Sequence, residues 1–135
     1  MRHAVYALCL LAAAGAASAT DTETFQGNWK LALAIHDGRP QTGADLDAKL
    51  TVQGDQFSVQ GPPAWPLSSG SFQLNESASP KQIDLKSDNP ALGIYEVRAG
   101  NRIRVCIAPP GTARPTRFES KAGSGYYFQE WIRVK

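Results

Sequence analysis

The chain has 135 residues, which is enough for one domain with its own hydrophobic core and too few for two. Its 14 basic residues exceed the 12 acidic ones by only two, so it lacks the concentrated positive charge that binds nucleic acids or acidic membrane surfaces. Twelve glycines and nine prolines punctuate the chain, a pattern typical of short strands joined by turns.

The first 19 residues have the composition of a signal peptide. A basic residue near the start precedes a mostly apolar stretch from Ala4 to Ala16. Ala17-Ser18-Ala19 then fits the small-x-small pattern that signal peptidase cleaves. The apolar stretch is shorter than a bilayer span, and no other stretch is long enough. We therefore predict a signal peptide at 1–19, a domain at 20–135, and export to the periplasm or the extracellular space without a transmembrane segment.

The two cysteines, Cys9 and Cys106, would be separated by this cleavage. Cys106 would then have no intrachain partner for a disulfide. Its side chain is either a reactive free thiol or a small buried residue of a strand. The second alternative is favoured, because no adjacent His or Lys is available to lower the pKa of the thiol.

Apolar and polar residues alternate along much of the domain, as they do in half-buried strands. Trp29, Leu31 and Leu33 fall on every second position, and Pro40 is expected to end strand pairing after them. Two turn pairs, Gly54-Asp55 and Gly100-Asn101, separate alternating runs and predict hairpins.

The second hairpin has a clear division of faces. The alternation places Ile103, Val105 and Ile107 on one face and the side chains of Arg102, Arg104 and Cys106 on the other.

Further strands are predicted near Phe72, near Ile83, around 116–119 and over 126–134, giving eight or nine in total. Gly or Pro interrupts every candidate helix of useful length, and residues 42–49 have room for one helical turn at most. Short connections favour an antiparallel meander, and closure into a barrel removes its unpaired edges. We predict an all-β fold, a single antiparallel meander barrel of eight or nine strands, with an open two-sheet sandwich as the alternative.

Gly27 and Trp29 begin the first predicted strand, and Arg133 lies near the end of the last. In a closed barrel these strands are neighbours, so the Arg133 guanidinium can lie over the Trp29 ring. Gly27 allows a tight turn into the barrel floor. This arrangement resembles the Gly-x-Trp and arginine clasp of lipocalin-type barrels. The simpler alternative is a core tryptophan and an unrelated solvated arginine.

A longer resemblance covers most of the predicted domain. Six motifs occur in order: Gln26-Gly27-Asn28-Trp29, Asp37-Gly38, Pro80-Lys81-Gln82-Ile83-Asp84, Gly93-Ile94-Tyr95-Glu96-Val97, Arg104-Val105-Cys106 and Arg114-Pro115-Thr116-Arg117-Phe118. Together with Arg133 they resemble a family of uncharacterised bacterial exported lipocalin-like (calycin-type) β-barrel domains. The resemblance implies a small antiparallel barrel and no established activity. Ala99-Gly100-Asn101 departs from the Gly-Asp more usual in the family, but either pair suits a hairpin turn.

Three charged residues within these motifs, Lys81, Asp84 and Arg114, admit two interpretations. They pair with neighbours and fasten a loop, or they converge on an anionic ligand. The first is favoured, because such charges are commonly paired or solvated.

The sequence offers few groups for catalysis or metal binding. His36 is the single histidine after residue 19, and no Gly-x-Ser-x-Gly motif accompanies it. One His and one Cys are too few for a zinc site, and Asp45 and Asp47 match no calcium loop. We therefore predict no catalytic residue, no metal ligand and no cofactor.

The leading functional hypothesis is an exported module that binds a small apolar molecule in the barrel. The candidate residues of its lumen or mouth are Leu31, Leu33, Phe57, Trp65, Phe72, Ile103 and Val105. Trp65 lies in the proline-rich stretch 61–70 and is either a lid over the mouth or a plug of the core. The alternative is a structural or protein-interaction domain with a filled barrel. A cavity above roughly 300 Å³ would favour ligand binding.

Overall fold

The computed structural model describes residues 20–61 and 68–134. The predicted signal peptide at 1–19 and Trp65 lie outside the described residues. The described chain has one short helix, one 3₁₀ turn and nine strands. Their bounds are α1 Asp21–Phe25, β1 Gly27–His36, β2 Arg39–Pro40, the 3₁₀ turn Gly43–Leu46, β3 Lys49–Gln53, β4 Gln56–Gln60, β5 Ser69–Asn75, β6 Lys81–Lys86, β7 Ala91–Arg98, β8 Arg102–Ile107 and β9 Tyr127–Arg133.

Eight of the strands form a closed antiparallel barrel. From β3 to β9 each strand pairs with the next, and β1 pairs with both β3 and β9. The first and last strands run alongside each other from Trp29 opposite Arg133 to His36 opposite Tyr127. The predicted meander barrel is therefore confirmed, and the sandwich is excluded. Closure pairs both edges of the sheet and leaves β2 as a short extra strand on β1.

Both predicted hairpins are present, but two local predictions were wrong and one short helix was not predicted. Residues 116–119 form no strand, since 116–118 are bends, and the ninth strand is instead Arg39–Pro40. Pro40 pairs with Ile35 instead of ending the sheet, because a proline at an edge need not donate to a further strand. Helix α1 was not predicted, although Thr20 and Glu23 form a capping box at its start.

A β-bulge at Ala32 changes the faces of β1. Leu31 pairs with Trp131 of β9, and Leu33 pairs with Glu130, which is adjacent to Trp131. Ala32 therefore has no partner in the ladder. The extra residue turns Leu33 to the outer face, where it is 38% exposed, while Leu31 remains buried. The prediction that Leu33 faces the lumen is thus corrected.

The main hydrophobic core fills the barrel, and a smaller one lies outside it. Ile94, Cys106 and Phe128 form the outer cluster, against which Phe118 and Tyr126 of the loop between β8 and β9 pack. Cys106 is fully buried, and its Sγ donates to the Glu119 carbonyl oxygen at 3.4 Å. Burial raises the pKa of this thiol to about 11. Cys106 therefore has the buried environment that the sequence favoured.

Candidate functional site

Helix α1 lies across the end of the barrel where β1 begins. Phe25 at the end of the helix is buried, stacked on Phe72 at 5.8 Å and edge-on to Tyr95 at 5.4 Å between ring centres. Trp29 is wholly buried, and its Nε1 donates to the Phe25 carbonyl oxygen at 2.8 Å. These aromatic rings close this end of the lumen, which we call the floor.

Arg133 fastens the floor to the last strand. Its guanidinium carbon lies 4.2 Å from the centre of the Trp29 ring. Its nitrogens donate to the carbonyl oxygens of Thr24 at 2.5 Å, Gln26 at 2.8 Å and Gly100 at 3.2 Å. The guanidinium thus covers the indole and also satisfies carbonyl groups at the end of α1, where a positive charge is favourable.

Gly27 provides the close approach that this contact requires. Its φ of +116° lies in the region that favours glycine, and an added Cβ would lie 3.2 Å from Arg133 Nη1. The structure thus brings together the three residues of the predicted clasp.

A second set of polar contacts holds the other end of α1. Asp21 Oδ2 accepts hydrogen bonds from Lys81 Nζ at 2.8 Å and from the Tyr95 hydroxyl at 2.7 Å. Burial, followed by the hydrogen bond to Asp21, raises the pKa of Tyr95 well above its ordinary range. The hydrogen bond to Asp21 likewise raises the pKa of Lys81, against the smaller effect of burial. Lys81 therefore anchors the helix.

Arg114 has a separate structural role. Its Nη1 lies 2.8 Å from Asp84 Oδ1 in an ion pair. The same nitrogen donates to the carbonyl oxygens of Ile83 at 3.2 Å and Gly93 at 2.9 Å. It therefore fastens the loop that precedes β9 to strands β6 and β7. Lys81, paired with Asp21, does not join Asp84 and Arg114, so the three charges do not form one anion site.

Above the floor, the barrel contains a cavity of about 80 Å³. Among the described residues, eleven apolar ones line it together with Tyr127, Gln129 and Trp131; the apolar residues are Phe25, Leu50, Val52, Phe57, Val59, Phe72, Ile83, Leu85, Ile103, Val105 and Ile107. The volume is well below the roughly 300 Å³ typical of the smallest drug-sized pockets. Side chains therefore fill much of the lumen and leave a small apolar space.

Four of the predicted lumen residues, Phe57, Phe72, Ile103 and Val105, line this cavity. They do so because alternate residues of β4, β5 and β8 face inward, as the period of a strand requires. Leu31 belongs to the surrounding core without lining the space, and Leu33 lies on the outer face.

The cavity extends toward the end of the barrel opposite the floor, which we call the mouth. Val59, Leu85, Ile107 and Tyr127 lie near the strand ends there. At the same end His36 stacks on Tyr127, with ring centres 4.0 Å apart and ring planes 6° apart. Burial raises the pKa of Tyr127. Among the described residues, aromatic and aliphatic groups thus lie at the rim as well as in the walls.

Ten of the fourteen described lining residues are absent from the sequence prediction, and among these ten Gln129 is the one with a side-chain amide. Its side chain is only 4% exposed, and its Oε1 accepts a hydrogen bond from Trp131 Nε1 at 3.1 Å. The signal was present in the sequence, because alternation from Tyr127 to Arg133 places residues 127, 129, 131 and 133 on one face. A glutamine on the inward face of the strand is a buried polar group and therefore a candidate site residue.

Among residues 20–61 and 68–134, no group of three His, Cys, Asp or Glu side chains is placed to hold a metal ion. No helix in these ranges combines the length and the apolar character needed to cross a membrane. The cavity is therefore the candidate site that the described geometry offers.

Comparison of the chain with family models, with curated proteins and with solved structures found no match in any of the three. Any assignment of function accordingly rests on the site itself.

Proposed function

We propose that the domain is a binding module that takes a slim apolar chain into the barrel cavity through the mouth. The observation that carries this proposal is the cavity lining, in which eleven of the fourteen described residues are purely apolar. Water binds weakly in an apolar cavity of this kind, because the walls offer few hydrogen-bond partners. Filling it with hydrocarbon contributes about 0.8 kcal/mol for each methylene group removed from water.

The volume of the cavity indicates the shape of the occupant. A cavity of about 150 Å³ in another protein holds a benzene molecule, and the present one has about 80 Å³. A linear alkyl segment, which is narrower than a ring, fits this space better. Affinity should therefore rise with chain length until the lumen is full and then level off.

Two features of the sequence support an exported version of this proposal. Residues 1–19 have the pattern of a cleavable signal peptide, and the motifs resemble those of exported lipocalin-like domains. We propose export on that basis. Mass spectrometry of the protein purified from its native host tests this proposal and should find Thr20 as the first residue. The proposal assigns the protein no catalysed reaction.

Calorimetric titration with linear and cyclic alcohols tests the binding function. We expect 1-hexanol to bind more tightly than cyclohexanol, and binding to strengthen from 1-butanol to 1-hexanol. Val105→Phe, which fills the cavity, should abolish binding. Ser58→Phe, which adds the same ring on the outer strand surface, is the matched control and should leave it unchanged. Circular dichroism verifies that each variant retains its strands.

The small volume also favours a second candidate function. A barrel whose interior is largely filled can serve as a structural or protein-interaction domain with no ligand. Wild-type protein that is folded yet binds none of the alcohols would support this alternative and refute ligand binding.

A further inference from the structure

Gln129 is a polar side chain of the cavity whose hydrogen-bonding capacity is only partly used. Gln129 lies opposite Ala34 of β1 and Val105 of β8, so both cross-strand neighbours are apolar. With 4% of its surface exposed, its amide is removed from bulk water. A buried amide without partners is costly, and proteins seldom retain one without a compensating contact.

Trp131 determines which way this amide points. An indole N–H can only donate, so the atom of Gln129 that faces Trp131 Nε1 at 3.1 Å must be the oxygen. The amide nitrogen therefore points away from Trp131, with two N–H groups to donate.

Within the described part of the chain, that nitrogen has no hydrogen-bond partner. In the described residues, Arg104 Nε is the one side-chain nitrogen or oxygen that is both fully buried and without a hydrogen-bond partner. The Gln129 nitrogen, which also has no partner, is therefore not fully buried. The Gln129 nitrogen consequently keeps some open surface, and because Gln129 lines the cavity, that surface belongs to the cavity. The lumen thus presents a fixed donor in mainly apolar walls.

We propose that the natural ligand is an uncharged linear molecule with a carbonyl oxygen on its chain, such as a ketone or an ester, and that Gln129 donates to this oxygen. The inference rests on the proposed binding function and specifies its ligand class. An acceptor is required because the open groups of Gln129 are donors. A carboxylate is disfavoured because no Lys, Arg or His lines the cavity among the described residues, and an unpaired charge is very unfavourable in an apolar site.

Three small probes of seven non-hydrogen atoms separate these possibilities. They are 2-hexanone, which has a carbonyl group, 1-chlorohexane, which is a poor acceptor, and pentanoate, which is charged. Wild-type protein should bind the first two, and pentanoate much more weakly. In Gln129→Leu the ratio of the 2-hexanone affinity to the 1-chlorohexane affinity should fall about fivefold to tenfold, the equivalent of one lost hydrogen bond.

The ratio of affinities isolates the hydrogen bond, because a general change in cavity shape affects both probes. Gln129→Met, which keeps the length of the side chain, should give the same loss and replaces Gln129→Leu if that variant does not fold. Gln73→Leu on the outer face of β5 is the matched control and should leave the ratio unchanged.

Each result has a definite meaning. If neither 2-hexanone nor 1-chlorohexane binds wild-type protein, the proposed function itself is wrong. If both bind and the ratio is the same in the Gln129 variants, the binding function stands and the carbonyl contact is refuted, with water satisfying the amide instead. Pentanoate binding as tight as that of 2-hexanone would overturn the uncharged class.

Discussion

Replacing Arg133 by alanine should weaken the whole barrel, because this side chain joins α1 to β9. The contact of its guanidinium with Trp29 contributes about 0.5–2 kcal/mol. Its hydrogen bonds to the carbonyl oxygens of Thr24, Gln26 and Gly100 involve a charged donor, and such bonds contribute about 1.5–3 kcal/mol each when buried. Partial exposure and non-additivity reduce the sum, so we expect a loss of about 3 kcal/mol in the free energy of unfolding.

Urea denaturation followed by tryptophan fluorescence and by circular dichroism measures this loss, and the melting temperature should fall by about 10 °C. Arg133→Lys keeps the positive charge without the planar donors and should lose roughly half as much. Arg117→Ala removes an exposed arginine and is the matched control, expected to change stability by less than about 0.5 kcal/mol. An Arg133→Ala variant as stable as this control would refute the role assigned to the clasp.

Other perturbations test separate parts of the structure. Leu31→Ala should cost about 2–5 kcal/mol and Leu33→Ala less than about 0.5 kcal/mol, as measured by urea unfolding; equal losses would contradict the bulge. Arg114→Ala should speed amide hydrogen exchange in the loop before β9, and an unchanged exchange pattern would show that its contacts do not fasten the loop. Cys106, with a pKa of about 11, should react with a disulfide reagent at pH 8 only as the protein unfolds; rapid reaction of folded protein would contradict its burial. Burial alone would raise the pKa of Glu96, but hydrogen bonds from two arginines outweigh it and lower the pKa. The stability that this carboxylate contributes is therefore present above its unfolded pKa and is lost as the pH falls through the folded pKa. Glu96→Gln should accordingly lose less stability on acidification than wild-type protein, and parallel pH curves would refute this.

The barrel could be predicted from the sequence because strong patterns mark its elements. Along β8 each apolar residue alternates with a charged or small one, so the two faces are unambiguous. The turn pairs at Gly54-Asp55 and Gly100-Asn101 fix the registers of two hairpins. The neighbourhood of Trp29 and Arg133 then follows from closure of the sheet.

The bulge in β1 had no comparable signal. Residues 31–35 are all apolar, so no polar side chain marks the position at which the inward face changes. Its cause lies in the pairing with β9, which local alternation does not reveal. Helix α1 did have a signal in the Thr20 to Glu23 capping box, but its five residues are too few to show a helical period.

The volume of the cavity also could not be predicted from the sequence pattern. Alternation identified Phe57, Phe72, Ile103 and Val105 as inward residues, but the space that they leave depends on how their side chains pack. Gln129 shows the opposite case, because its inward position followed from alternation. The lumen prediction omits this glutamine because it considers apolar side chains alone.

Because the sheet is closed, every barrel strand has two neighbours, and the barrel does not require the chain termini to lie between β1 and β9. Val134 N donates to the Asn28 carbonyl oxygen at 2.9 Å. The start of β1 and the end of β9 are therefore already adjacent. A glycine-rich connection from Val134 to Thr20, which retains α1, with new termini opened in the exposed residues 88–90, would keep every strand neighbour. Such a circular permutant should be able to form the same ring from a reordered chain.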